Sequence, residues 1–108
     1  MSVLEKETID GMALDQNGKV LRLLITDHID WNDEYRHLVA LQEKINAYIG
    51  FCEDRQYRQV YKDAPIESAV FEIHFRFEPT KKGWTFLEQV QRQINEMGIM
   101  LECHITEK

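Results

Sequence analysis

Cysteine, proline and glycine are all scarce in this 108-residue chain, at two, two and five copies. Two distant cysteines, Cys52 and Cys103, do not make the disulfide framework of a small secreted domain. Both read as reduced core residues. With so little proline and glycine there is no linker, and no low-complexity tract or internal repeat divides the sequence. Residues 1–108 are therefore expected to form a single domain. Nowhere does an apolar run approach the roughly 18 residues of a membrane span. The opening segment MSVLEKETID lacks the apolar centre of a secretory signal. Positive charge is also short. Thirteen Lys and Arg face nineteen Asp and Glu, a formal net charge of -6. Phosphate backbones reward clustered cations, so no nucleic-acid partner and no membrane partner are expected. These absences point to a cytoplasmic protein.

Chemical motifs are missing as well. The glycines form no GxGxxG or Walker-type phosphate cradle, and no HExxH or CxxC spacing offers a metal site. Neither serine, Ser2 or Ser68, sits on a strand-to-helix elbow. No catalytic residue, no cofactor and no metal site is assigned from the sequence.

What is there is periodicity. Thr8 to Leu14 reads as a modest strand, followed by Asp15-Gln16-Asn17-Gly18, whose Asn-Gly pair suits a tight hairpin. Lys19 to Thr26 reads as the return strand. Its alternation places Leu21, Leu23 and Ile25 on one face and Val20, Arg22, Leu24 and Thr26 on the other. A helix follows, with Asp30 as the expected N-cap. Leu38, Leu41, Ile45, Tyr48 or Ile49, and Cys52 form its apolar stripe, with Glu43, Lys44 and Asn46 outside it. Residues 54–65 read equally as a helical extension or a loop. Ile66 to Phe77 is the clearest strand, with Phe71, Ile73, Phe75 and Phe77 facing inward. A second helix starts near Thr80 with Trp84, Leu87, Val90, Ile94 and Met97 as its stripe, and Gly98 closes it. Ile99 to Thr106 is the last strand.

The order is ββαβαβ. Each helix between strands implies a right-handed parallel crossover. Two such crossovers carrying both helices on one face predict a four-stranded mixed sheet in order 1-2-3-4, with strand 1 antiparallel. The expected fold class is α+β, a two-layer sandwich.

Two constellations stand out. The first is Thr26-Asp27-His28-Ile29-Asp30-Trp31, joining a parallel strand to a helix start, where ligands often bind in α/β sheets. Asp27, His28, Asp30 and His37 are its candidate ligand-binding residues. The plainer reading has the aspartates capping the helix and Trp31 anchoring it. The second is the uncovered sheet face, whose mixed character makes Arg22, Leu24, His74, Arg76, Met100 and His104 candidate interface residues. His74 and His104 share that face and, with Glu72 or Glu102, would make a partial metal site. A solvated cross-strand contact is the commoner outcome for such a pair. Arg55, Arg58 and Lys62 interleave with Tyr57 and Tyr61, but Glu53, Asp54 and Asp63 flank them and weaken any field for phosphate.

The run Ile25 to Trp31, then His37-Leu38, Leu41 to Tyr48 and Phe51, resembles a family of small bacterial proteins of unknown function. A DHLDW-like segment there precedes an LQEKxNxY-like helix. Phe77-Glu78-Pro79, Gly83 and Phe86-Leu87 are also similar, and the likeness runs from about Ile9 onward. It implies a bacterial cytoplasmic origin and transfers no catalytic residue. The function expected is that of a small non-enzymatic interaction protein, binding a protein partner or itself as a homodimer through the open sheet face. The alternative is an enzyme or ligand- or metal-binding domain centred on the Asp27-His28-Asp30 loop.

Overall fold

A computed structural model describes residues 3–5 and 8–106. The elements run β1 (Gly11–Asp15), β2 (Val20–Asp27), α1 (Glu34–Glu53), β3 (Ser68–Phe75), α2 (Lys81–Asn95) and β4 (Ile99–Ile105). They build a four-stranded sheet in the order β1-β2-β3-β4. β1 is antiparallel to β2, and the β2–β3 and β3–β4 pairs are parallel. This is the α+β arrangement expected from the alternation of periods.

One face of the sheet carries the core. Leu21, Leu23 and Ile25 of β2 alternate inward beside Phe71, Ile73 and Phe75 of β3, all fully buried. Leu41, Ile45 and Tyr48 of α1 and Leu87, Val90 and Ile94 of α2 close over them. Burying these side chains is worth about 1.5–3 kcal/mol each, which fixes which face of every strand points in.

Several local details differ from the sequence reading. The first hairpin is not a two-residue turn. Gln16, Asn17 and Gly18 all take positive φ, and Lys19 N–H closes on the Gln16 carbonyl. The Asp15 carboxylate accepts from Gln16 N–H, so four residues separate the paired Asp15 and Val20. Asp33, not Asp30, caps α1, accepting from Arg36 N–H. Asp30 is occupied one turn earlier, its carboxylate accepting from Asn32 N–H and its carbonyl meeting His37. Residues 54–65 form a connection with one short 3-10 turn, Gln56–Gln59, entered through Arg55 at positive φ. Phe77 lies past the end of β3 and is exposed, as is Met97 at the end of α2. Thr80 caps α2 by accepting from Gly83 N–H, and Gly98 takes the left-handed conformation at φ 78°. The two cysteines are free and half-buried. Burial pushes each thiol up to about 11.

Lys44 is the largest departure. Expected outside the apolar stripe, its side chain is wholly buried. Its three N–H donors go to the Glu5 carbonyl, the Thr8 carbonyl and Asp10 Oδ1, the last at 2.9 Å. Asp10 Oδ2 accepts in turn from Thr26 N–H and the Thr26 hydroxyl. The Tyr48 hydroxyl accepts from Asp10 N–H at 2.9 Å and donates to the Leu24 carbonyl. A buried ammonium survives only when fully partnered, and here every donor has its acceptor. The network ties the segment before β1 to α1 and β2.

Candidate functional site

The β2–α1 loop divides the four residues singled out there. Asp27 ends β2 on the core face, by the same alternation that buries Leu21, Leu23 and Ile25. His37 sits in the first turns of α1. Their side chains are both fully buried, and His37 Nε2 lies 2.5 Å from Asp27 Oδ2. His37 Nδ1 lies 3.0 Å from the Asp30 carbonyl. A carbonyl only accepts, so Nδ1 carries a hydrogen. The Nε2–Oδ2 line then holds one further proton between ring and carboxyl. Asp27 Oδ1 accepts from Ile29 N–H.

Trp31 covers the His37 ring. Its ring stacks on His37 at 3.7 Å between centroids, and its indole N–H donates to the Phe77 carbonyl. Gly83 makes room for it, because a Cβ there would stand 3.1 Å from the Trp31 ring and 3.0 Å from Pro79 Cβ. His28 and Asp30 are exposed on the outside of the loop. The cluster therefore joins Asp27 and His37, takes only a backbone carbonyl from Asp30, and leaves His28 apart. Both imidazole nitrogens are occupied inside the fold, so the pair pins the start of α1 to the end of β2.

The open face is assembled by register. Ala13, Arg22, Val70 and Met100 lie in one row across the four strands. Gly11, Leu24, Glu72 and Glu102 form the next, and Thr26, His74 and His104 the third. Gly11 and Ala13 leave a hollow beside the row ends, lined by Leu24, Thr26, Glu72 and His74. A Cβ at Gly11 would press on the Leu24 side chain at 3.1 Å. Arg76 follows β3, its N–H donating to the Asp27 carbonyl and its guanidinium lying over the Phe77 ring.

Charges on this face are paired within the chain. Arg22 Nε donates to Glu72 Oε2 at 2.9 Å, and Arg22 NH2 donates to Glu102 Oε1 at 2.6 Å. Asp15 lies 3.5 Å from the same guanidinium. The Glu72 hydrogen bond also raises the arginine further. His74 Nε2 stands 3.0 Å from Glu72 Oε1, and His104 Nε2 stands 3.4 Å from Glu102 Oε1. The contact with His74, aided by Arg22, holds the Glu72 carboxyl below the usual carboxylate range. Met100 projects beside this network with 58% of its surface exposed. Sequence parity had placed these residues on one face. Glu72 and Glu102, missing from the interface set, are the groups that fix Arg22, and their positions at even steps from His74 and His104 were the available signal.

The chain belongs to a family of unknown function (DUF6572), whose model matches residues 1–107. No curated protein and no solved structure matches it. No helix among the described residues is long and apolar enough to cross a membrane.

Proposed function

We propose that this chain is a non-enzymatic interaction protein of the bacterial cytoplasm, and that a second copy of itself covers the open sheet face. The observation that carries this is the state of the charges there. Arg22 is already held by Glu72 and Glu102 of its own chain, so a covering surface need not supply a partner for its guanidinium. What the face offers a partner is apolar surface from Met100 and the half-buried Leu24. A patch of that kind can meet its own mate across a two-fold axis. A basic partner would instead favour carboxylates that were not engaged at home. The bacterial origin enters from the sequence resemblance alone.

The reading centred on the Asp27-His28-Asp30 loop draws less support. Its carboxylate and imidazole are spent on each other beneath Trp31. A substrate would have to break that buried pair to use either group.

Sedimentation equilibrium over a wide concentration range tests the proposal. The wild type is expected to associate to a dimer, and Met100→Asp to remain monomeric. A wild type that stays monomeric throughout, or a variant that dimerises equally well, contradicts it.

A further inference from the structure

We propose that Glu72, His74 and His104 bind one divalent transition-metal ion of the zinc class on the open sheet face. Parallel pairing sets His74 directly opposite His104. Glu72 lies two residues before His74, on the same side of the same strand. One ligand atom from each residue lies within 4.8 Å of the other two. Two of the three are closer still, with His74 Nε2 at 3.0 Å from Glu72 Oε1. Zinc bonds of about 2.0–2.2 Å place tetrahedral ligands about 3.4 Å apart. Only the His104 ring has to close in. It is half exposed and stands on the edge strand, which leaves its side chain room to rotate.

The surroundings fit a dication. Arg22 takes Oε2 of Glu72 and leaves Oε1 toward the histidines. Such an outer hydrogen bond is how ligating carboxylates are oriented. Arg22 with Asp15, Glu72 and Glu102 sums to one positive and three negative charges. A divalent ion balances the remaining two. Two imidazoles and one carboxylate favour zinc, nickel or copper over magnesium or calcium, which prefer all-oxygen shells. Three protein ligands leave a position for water or a partner's side chain. All three come from one chain, so the inference does not rest on self-association.

The test is calorimetric titration of zinc chloride into the untagged full chain. One zinc per chain is expected. His74→Ala, His104→Ala and Glu72→Gln should each bind at least about tenfold more weakly, while His28→Ala binds as the wild type does. Cobalt(II) in place of zinc should give the intense visible bands of low coordination, lost in His104→Ala. Melting curves establish that each variant is folded. If His74→Ala is not, the exposed His104→Ala decides. An absence of zinc binding overturns the inference, as does binding that survives His104→Ala and falls with His28→Ala.

Discussion

His74 and His104 face each other across β3 and β4 with their rings nearly parallel, 18° apart in plane and 4.8 Å between centroids. Each ring reaches back two residues along its own strand to a carboxylate, His74 to Glu72 and His104 to Glu102. Arg22 from β2 bridges the two carboxylates. One guanidinium, two carboxylates and two imidazoles thus form a closed network on a face that no helix covers.

The Glu72 carboxyl should report this network. Its largest stabilising contact is His74, so His74→Ala should move its titration upward, toward the ordinary carboxyl value. A group whose folded value is depressed adds stability above its unfolded value. That stability is lost as pH falls through the folded value. Carbon-detected NMR titration of the Glu72 side chain checks it. No upward movement in the variant would show that Arg22 alone holds the carboxylate.

The buried Lys44–Asp10 pair should be costly to break from one side. Lys44→Met strands Asp10 and two backbone carbonyls in the interior. Loss of about 3–5 kcal/mol is expected by urea denaturation. A loss below about 1 kcal/mol would mean that water replaces the ammonium.

Two glycines in helices should respond to alanine with opposite signs. Gly50 in α1 has nothing within 4 Å of a new Cβ, so Gly50→Ala should gain up to about 1 kcal/mol from helix propensity. At Gly83 the same gain is opposed by Trp31 and Pro79 at 3.0–3.2 Å. Trp31 is stacked on His37 and cannot retreat freely. Gly83→Ala should therefore lower the melting temperature while Gly50→Ala raises it. Equal responses would show that the Trp31 cover is loose.

Accessibility separates the histidines. Diethyl pyrocarbonate followed by peptide mass analysis should modify His28 first and His37 last, because the His37 side chain is fully buried and both its nitrogens are engaged. Early modification of His37 would reopen the loop as a reactive site.

Much of this architecture was legible in the residues. Alternation in 19–26 and 66–77 marked the faces, and two single-helix crossovers set the strand order. Asp27 reads as a loop residue because the sequence pattern ends the strand at Thr26; β2 runs one residue further, and the parity of Ile25 turns Asp27 inward. Lys44 was not legible. A lysine beside an apolar stripe reads as solvated, and its burial depends on acceptors at Glu5, Thr8 and Asp10, far back in the chain. The Asp30 cap failed for a similar reason, since the pull of His37 on its carbonyl comes from a later turn. On the open face, parity grouped the two histidines, but only the register sets them opposite each other.

Methyl-labelled methionine NMR through a dilution series tests the central claim, that the open face is where two copies meet. Met100 and Met97 are both more than half exposed, but Met97 lies at the end of α2, outside that face. The Met100 methyl signal is expected to shift with concentration while that of Met97 stays fixed. A Met100 signal that does not change, or one that moves only as much as that of Met97, would contradict it.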